Sequence, residues 1–204
     1  MPAFRYLALG DSYTIGESVP ESDRWPNQLA KQLGADGIQT DVTILARTGW
    51  TVDELWKGIQ VNPPAGTYDL VTLLIGVNDQ YRGYPSIGYR DDFRFMLNIA
   101  IEYAGGDPNR VIVLSIPDWG MTPFAAGRNT QIIAQEIDQF NSINREEAEM
   151  AGVHYVDITP ISRTVTATST LVAPDGLHPS GTMYSEWVDL ALPIAQDILK
   201  KTSH

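Results

Sequence analysis

Residues 70–79 read Leu-Val-Thr-Leu-Leu-Ile-Gly-Val-Asn-Asp, an apolar run that stops at a glycine and is soon followed by two polar side chains. Four comparable runs lie at residues 6–9, 42–46, 111–116 and 153–156. Runs of this kind, which do not alternate with polar residues, are typical of strands buried on both faces of a parallel sheet. Residues 70–75 and the four other runs are therefore predicted to form the strands of such a sheet.

Longer stretches with the spacing of amphipathic helices separate the predicted strands. One of them opens with Thr51-Val-Asp-Glu54, which matches the capping box that begins many helices. Helices are predicted over residues 25–33, 51–59, 93–103, 129–150 and 180–200. Because strands alternate with helices, we expect right-handed β-α-β units and an α/β fold, a three-layer α/β/α sandwich.

The composition of the chain limits the classes of protein to which it can belong. Its 204 residues suit one domain, which we expect to span residues 1–204. Because the chain has no Cys, a disulfide framework, a thiolate zinc site and a cysteine nucleophile are excluded. The 14 Lys and Arg against 25 Asp and Glu give a formal net charge of −11, which disfavours binding to nucleic acid or anionic lipid.

Neither a membrane span nor an export signal is visible in the sequence. No apolar run approaches the roughly 20 residues that a transmembrane helix requires. The first residues, MPAFRYLALGDS, lack the long apolar stretch and the small-residue cleavage site of a signal peptide. We therefore expect a soluble, cytoplasmic protein without a membrane span.

The loops that follow the predicted strands are expected to form a functional site, because ligands of open parallel α/β sheets bind outside the carboxyl ends of the strands. These loops cover residues 10–16, 47–51, 76–82 and 117–127. The first contains Ser12 in a Gly-Asp-Ser turn, where the hydroxyl can act as an exposed nucleophile. The next two contain Gly49, whose amide can point outward, and Asn78, whose side-chain amide can donate to an oxyanion.

Near the C-terminus, the motif Asp175-Gly-Leu-His178 places a carboxylate three residues before an imidazole, across a glycine turn. Asp175 can therefore contact Nδ1 of His178 and leave Nε2 free as a general base. The sequence has two other His: His154 lies in the last apolar run, where a structural role is the default, and His204 is the final residue.

Each of these motifs alone also fits a helix cap or a turn, but their order along the chain is specific. The chain resembles the SGNH, or GDSL-type, hydrolase family, whose blocks are named for Ser, Gly, Asn and His. The matching residues are, in order, Gly10-Asp11-Ser12, Gly49, Gly76-Val77-Asn78-Asp79 and Asp175-x-x-His178-Pro179. Tyr13 stands where the family's older name has Leu, at a position that varies within the family.

The resemblance implies a flavodoxin-like SGNH hydrolase fold with a five-stranded parallel sheet. It also implies acyl transfer through a covalent intermediate, with Ser12 as nucleophile, His178 as base and then acid, and Asp175 as its orienting partner. The amides of Ser12 and Gly49 and the side chain of Asn78 would form the oxyanion hole. Neither a cofactor nor a metal is implied, and the expected partner is a small-molecule ester.

The expected activity is that of a serine esterase, similar to carboxylesterases and lipases, acting on carboxylic esters with short acyl chains. Alternatives of the same fold are a carbohydrate O-acetylesterase, an acyl thioesterase and a lysophospholipase. Rivals of other classes are a non-catalytic binding module and a metallohydrolase. A metallohydrolase would draw its ligands from Asp11, Asn78, Asp79, Asp175 and His178. The Gly-x-Ser-x-Gly motif of α/β-hydrolases, the P-loop and the Rossmann fingerprint are absent from the sequence.

Aromatic and Met side chains on or just after the same loops are expected to line a substrate pocket, although several of them would equally cover the edge of the sheet. These residues are Tyr13, Trp50, Tyr81, Trp119, Met121 and Phe124. Arg47 and Arg82 also lie near the predicted site. Each is expected either to hold a substrate carboxylate or to be paired with an acidic side chain.

Overall fold

The computed structural model describes residues 3–166 and 170–202, so that His204 lies outside the described residues. Within these ranges the chain forms one sheet in which all neighbouring strands are parallel. The strands are β1 (Phe4–Gly10), β2 (Thr40–Ala46), β3 (Leu70–Leu74), β4 (Val111–Leu114) and β5 (His154–Val156). Their order across the sheet is β2-β1-β3-β4-β5, and the five-stranded parallel sheet predicted from the sequence is confirmed.

The central strands are buried on both faces, and the edge strands are not. Every residue of β3 and β4 is buried, as are residues 6–10 of β1. Strand β2 alternates between exposed and half-buried positions over most of its length, and β5 begins with two half-buried residues. The prediction of burial on both faces is therefore wrong for β2 and β5, because an edge strand has a neighbour on one side only and is covered less completely.

Helices cover both faces of the sheet. The longer ones are α2 (Trp25–Ala35), α3 (Val52–Val61), α5 (Ser86–Tyr103), α6 (Thr130–Ala151) and α8 (Gly181–Thr202). Three short ones are α1 (Ser12–Ile15), α4 (Val77–Tyr81) and α7 (Thr159–Ser162). Helix α2 packs against α8 in one layer, and α5 packs against α3 and α6 in the other. The fold is therefore the expected three-layer α/β/α sandwich.

Local sequence signals explain where several helices begin. The capping box at the start of α3 is present: the Thr51 side chain accepts a hydrogen bond from the backbone of Glu54, and the Glu54 carboxylate accepts one from the Thr51 amide at 3.1 Å. Asn129 caps α6 by accepting a hydrogen bond from an amide of its first turn. Helix α5 begins at Ser86, earlier than predicted. Its first two turns, which follow Pro85, are mostly exposed to solvent. They therefore need no regularly spaced apolar residues, and the apolar pattern used for the prediction begins only later in the helix.

The register of the sheet brings the ends of three strands to one edge. Gly10, the last residue of β1, is paired with Ala46 at the end of β2 and with Leu74 at the end of β3. The three loops that carry the candidate nucleophile and the candidate oxyanion donors leave the sheet from these adjacent positions. Their residues therefore start from neighbouring points, although they are far apart in sequence.

Gly10 ends β1 at a point where the backbone leaves no room for a side chain. A Cβ atom there would lie 2.3 Å from Oγ1 of Thr14 and 2.4 Å from the carbonyl oxygen of Leu74. Gly10→Ala is expected to lower the free energy of unfolding by about 1–3 kcal/mol, measured by urea denaturation, because the strand itself would have to shift. Gly88→Ala in α5 is the matched control, since a Cβ atom there meets nothing within 4 Å. Equal stability of Gly10→Ala and the wild type would contradict the close packing of this turn.

Candidate active site

Ser12 begins the one-turn helix α1, directly after the buried end of β1. Asp11 caps this helix, since its Oδ1 accepts a hydrogen bond from the Tyr13 amide at 3.0 Å. The helix ends at Gly16, which has φ of 70° in the left-handed region that favours glycine. Ser12 is 5% exposed. The cap and the glycine thus confine the chain to a single tight turn that presents the Ser12 side chain at the edge of the sheet.

Asp11, next to Ser12, is completely buried. Burial raises the pKa of the Asp11 carboxyl to about 8; the hydrogen bond from the Tyr13 amide opposes this rise, and the nearby charge of Asp79 adds to it. Oδ2 of Asp11 has no hydrogen-bond partner within residues 3–166 and 170–202. Burial therefore favours the neutral form of this carboxyl, which reduces the negative charge beside Ser12.

Gly49 lies in the loop after β2 and Asn78 lies at the start of α4, and a hydrogen bond joins these two segments. Gly49 has φ of 85°, a conformation that side chains other than glycine rarely adopt. Nδ2 of Asn78 donates to the Trp50 carbonyl at 2.9 Å and has a second hydrogen for another acceptor. Gly49 and Asn78 both line the cavity that Ser12 lines. The two residues predicted to donate to an oxyanion are therefore brought together with the predicted nucleophile.

Asp175 and His178 form the pair that their spacing predicts. Oδ2 of Asp175 lies 2.6 Å from Nδ1 of His178, and Oδ1 accepts hydrogen bonds from the amides of Leu177 and His178 at 2.9 and 3.0 Å. Burial alone would raise the pKa of Asp175, but hydrogen bonds from His178, Leu177 and Ser18 lower it to about 2. The carboxylate thus stays ionised, and its contact with Nδ1 leaves Nε2 of His178 as the nitrogen available to the cavity.

Ser18 is a residue of this site that was not predicted from the sequence. Its Oγ donates a hydrogen bond to Oδ2 of Asp175 at 2.7 Å, across 157 residues of sequence. Ser18 has φ of 64° and is the only non-glycine residue with positive φ in the described part of the chain. Such a conformation persists only where the surrounding structure imposes it. No local motif marks Ser18, so only the folded structure reveals its contact with Asp175.

The loop over residues 171–180, which carries the Asp-His pair, is closed by backbone hydrogen bonds. The Ala173 amide donates to the His178 carbonyl at 2.7 Å. The Phe124 amide donates to the Gly176 carbonyl at 2.9 Å and joins this loop to the segment that follows β4. The His-bearing loop is therefore fixed both within itself and against the opposite wall of the cavity.

One cavity, with a volume of about 170 Å³, joins the candidate residues. Its wall consists of Ser12, Tyr13, Thr48, Gly49, Val77, Asn78, Tyr81, Trp119, Phe124, Leu177 and His178. Of the side chains predicted to line a pocket, four lie on this wall: Tyr13, Tyr81, Trp119 and Phe124. Thr48, Val77 and Leu177 also lie on the wall, although they were not predicted from the sequence.

Trp50 and Met121, which were also predicted to line the pocket, lie outside the cavity wall. The Trp50 ring packs over Gly58 of α3, where a Cβ atom would come within 2.2 Å of it. Met121 ends a short turn, Trp119–Met121, and is 42% exposed. Position on a loop predicts nearness to the site, but the direction of each side chain depends on packing against neighbouring elements.

The aromatic wall of the cavity is held by hydrogen bonds and ring contacts. Nε1 of Trp119 donates to Oε1 of Gln80 at 2.8 Å, which anchors the ring to helix α4. The Tyr81 and Trp119 rings meet edge to face with centroids 5.4 Å apart, and Phe124 lies 6.0 Å from Trp119. The guanidinium of Arg128 lies 5.2–5.3 Å from the centroids of these three rings. Because the three rings contact one another and share one cation, they form a continuous wall of the cavity.

The two arginines near the site have different surroundings. Nη2 of Arg82 lies 3.1 Å from Oε2 of Glu54 and donates to the Gly49 carbonyl at 2.6 Å. Of the two interpretations of Arg82, the structure favours pairing with an acidic side chain. Arg47 is exposed and lies outside the cavity wall.

The described part of the chain contains neither a cluster of metal ligands nor a membrane-spanning helix. Within residues 3–166 and 170–202, no group of three or more His, Asp or Glu side chains is arranged to hold a metal ion. None of the helices in the same ranges has the length and apolar character needed to cross a bilayer.

The sequence itself also assigns the chain to a family. The family model of the GDSL-like lipases/acylhydrolases matches residues 8–185, from the first strand into the last helix. The chain therefore belongs to the GDSL-like lipase/acylhydrolase family, and the resemblance seen in its motifs is confirmed. A comparison with curated proteins gives no significant match.

Solved structures of the same fold include TesA, which is 18% identical over 95% of this chain and 99% of that chain, with a TM-score of 0.73. The acetylxylan esterase Axe2 from Geobacillus stearothermophilus is 19% identical over 94% of each chain, with a TM-score of 0.73. The lipase/acylhydrolase from Enterococcus faecalis is 21% identical over 97% of this chain and 96% of that chain, with a TM-score of 0.69. These similarities establish the SGNH hydrolase fold.

Proposed function

We propose that the protein is a serine esterase that hydrolyses carboxylic esters with short acyl chains through an acyl-enzyme intermediate. The observation that carries this proposal is the pair of Asp175 and His178, 2.6 Å apart, in which His178 lines the same cavity as Ser12. Gly49 and Asn78 border the same cavity and supply amide donors. A nucleophile, a base with its orienting carboxylate and donors for an oxyanion are the groups that acyl transfer requires.

The reaction begins when Nε2 of His178 takes the proton of Ser12 as Oγ attacks the ester carbonyl carbon. The carbonyl oxygen becomes an oxyanion, which the amides of Ser12 and Gly49 and Nδ2 of Asn78 stabilise. The tetrahedral intermediate then expels the alkoxide, which receives the proton from His178. The acyl group remains on Oγ of Ser12 as an ester.

Asp175 orients the imidazole of His178 and stabilises its protonated form. Its carboxylate accepts the Nδ1 hydrogen of His178, fixes the tautomer with Nε2 unprotonated, and stabilises the imidazolium that forms during each proton transfer. Because the pKa of Asp175 is held at about 2, this negative charge is present throughout the neutral range. A water molecule then attacks the acyl-enzyme with His178 as base, and the carboxylic acid and free Ser12 are released.

The size of the cavity supports a short acyl group. Its volume of about 170 Å³ is below the roughly 300–1,000 Å³ of pockets that enclose drug-sized ligands. The aromatic and aliphatic side chains of its wall favour an alkyl group over a charged one. Acetyl to butyryl esters are therefore the expected substrates.

A carbohydrate O-acetylesterase is the second candidate, because two aromatic rings of the wall are also exposed to solvent. Tyr81 is 46% exposed and Phe124 is 41% exposed. Exposed aromatic rings suit contact with the apolar face of a sugar, while the acetyl group would occupy the small cavity. An acyl thioesterase or a lysophospholipase would use the same Ser12 chemistry on a different leaving group.

Hydrolysis of p-nitrophenyl esters from acetyl to dodecanoyl tests the proposal, with acetylated xylose, an acyl thioester and a lysophospholipid in the same panel. We expect the largest kcat/KM at acetyl to butyryl. Faster deacetylation of the sugar than of p-nitrophenyl acetate would favour the second candidate. An optimum at decanoyl or longer would contradict the assignment of the small cavity to the acyl group.

Asn78→Ala should lower kcat about 10²–10³-fold, which corresponds to roughly 3–4 kcal/mol of lost transition-state stabilisation. KM for p-nitrophenyl acetate should change little, because the donor acts mainly on the charged intermediate. Asn27→Ala on α2 is the matched control, since Nδ2 of Asn27 only donates to a backbone carbonyl at the surface. A rise in KM at constant kcat would instead indicate that Asn78 binds the ground state of the substrate.

A further inference from the structure

The peptide groups between Gly49 and Val52 are held by residues of one short segment, α4 with the residue after it. Nδ2 of Asn78 donates to the Trp50 carbonyl at 2.9 Å. Both carboxylate oxygens of Asp79 lie within hydrogen-bond distance of the Val52 amide, at 3.2 and 3.4 Å. The loop that carries one proposed oxyanion donor is thus tied to the segment that carries another.

Gly49 itself needs an external constraint. A glycine has no side chain to pack and samples positive and negative φ with similar ease, so its amide direction is not fixed by its own residue. Within the described ranges, the Gly49 carbonyl is held by Nη2 of Arg82 at 2.6 Å. This bond, together with the one that the Trp50 amide donates to the Arg47 carbonyl at 3.2 Å, holds the peptide plane between Gly49 and Trp50. That plane adjoins the peptide that carries the Gly49 amide, so holding it leaves the Gly49 amide less freedom to turn.

Arg82 is in turn held from the opposite side by Glu54. Nη1 and Nη2 of Arg82 lie 3.2 and 3.1 Å from the two carboxylate oxygens of Glu54. Glu54 also accepts the Thr51 amide within the capping box that begins α3. Arg82 therefore bridges the start of α3 to the Gly49 loop with a planar, two-pronged group, which suits a positioning role.

These contacts also weigh against direct binding of substrate by Arg82. Both terminal nitrogens of its guanidinium already contact Glu54, and one of them contacts Gly49 as well. Arg82 does not lie on the wall of the cavity. A substrate carboxylate would have to compete with the carboxylate of Glu54 for the same donors.

We propose that Arg82 is a positioning residue for the oxyanion hole: it holds the Gly49 carbonyl so that the Gly49 amide points at the oxyanion. This inference rests on the proposed esterase function and adds to it a residue that touches neither substrate nor the reacting atoms. It also gives the ion pair between Arg82 and Glu54 a role in catalysis.

The test compares Arg82→Met with the wild type on p-nitrophenyl acetate, a neutral ester. Misalignment of one donor should lower kcat about 10–100-fold, less than loss of the donor, while KM changes less than about threefold. Arg82→Lys, which offers one ammonium instead of a fork, should recover part of the loss. Glu54→Gln keeps the Arg82 side chain but removes the negative charge that pairs with it. This variant should also lower kcat, by a smaller factor than Arg82→Met.

Arg94→Met on α5 is the matched control. Arg94 is also half-exposed and also paired with acidic side chains, Asp91 and Glu147, but it lies on the helix surface away from the cavity. Its kcat should equal that of the wild type. Melting temperatures of all variants show whether a loss of kcat accompanies unfolding, and Arg82→Lys provides the folded comparison if Arg82→Met is unstable.

The outcomes separate the two proposals. A wild type that hydrolyses esters, an inactive Ser12→Ala and an unchanged kcat in Arg82→Met would overturn the role of Arg82 and leave the esterase function standing. A loss seen only with esters that carry a carboxylate, expressed as a higher KM, would overturn positioning in favour of substrate binding. A wild type that neither hydrolyses any ester of the panel nor reacts at Ser12 with an organophosphate would overturn both.

Discussion

Ser12→Ala is expected to lower kcat for p-nitrophenyl acetate about 10⁴–10⁶-fold, with KM within a fewfold of the wild type. Without Oγ no acyl-enzyme can form, and only the oxyanion donors and binding remain. The change removes a single oxygen from a nearly buried side chain, so the fold should persist. Steady-state kinetics with thermal denaturation would measure both effects.

Ser142→Ala is the control for Ser12→Ala. Ser142 lies on the exposed face of α6, where its Oγ donates to Glu146. Its replacement should leave kcat and KM unchanged. If Ser12→Ala retained a tenth or more of the wild-type kcat, Ser12 could not be the nucleophile, and the reaction would have to proceed by another route.

His178→Ala should reduce kcat by a similar factor, because Ser12 then lacks a base and the leaving group lacks an acid. The double variant Ser12→Ala/His178→Ala should be no worse than either single variant, since the two residues act in one step. This absence of additivity distinguishes a shared mechanism from two independent contributions to stability or binding. Asp175 would remain in place in all three variants.

His154→Ala is the control, as the other histidine within the described residues. His154 lies on the edge strand β5 and does not line the cavity of Ser12. Its replacement should leave kcat unchanged. Additive losses in the double variant, or normal activity in His178→Ala, would contradict the assignment of His178 as the base of Ser12.

The parallel sheet could be predicted because its central strands are almost uniformly apolar. Residues 70–74 of β3 are buried on both faces, and their sequence shows it directly. The edge strand β2 is different: Asp41 and Thr43 are exposed, and its burial depends on how far the helices extend. A short apolar run does not reveal whether it will have one neighbour or two.

The candidate site could be predicted where its residues belong to short motifs at strand ends. Ser12 and Asn78 follow β1 and β3 closely, and Asp175 and His178 are only three residues apart. Strand register then brings the loops together, since Gly10 at the end of β1 pairs with the last residues of β2 and β3. Local sequence and one rule of sheet topology are sufficient for this part of the site.

The supporting contacts could not be predicted, because they join distant residues through side chains without a motif. Ser18 reaches Asp175 across 157 residues, and Arg82 reaches Gly49 across 33. The ring of Trp50 could have faced the cavity but packs on Gly58 of α3 instead. Such choices depend on the space left by several packed elements, which single-residue patterns do not encode.

The most direct test of the central claim is covalent labelling with diethyl p-nitrophenyl phosphate, followed by peptide mass spectrometry. The Oγ–P bond forms as p-nitrophenolate leaves, and His178 takes the Ser12 proton, so only an activated serine should react. We predict a stoichiometric burst of p-nitrophenolate, a diethylphosphoryl adduct on Ser12 alone, and far slower labelling in His178→Ala. An unlabelled Ser12, or an adduct confined to another residue, would contradict the assignment of this cavity as the active site of a serine esterase.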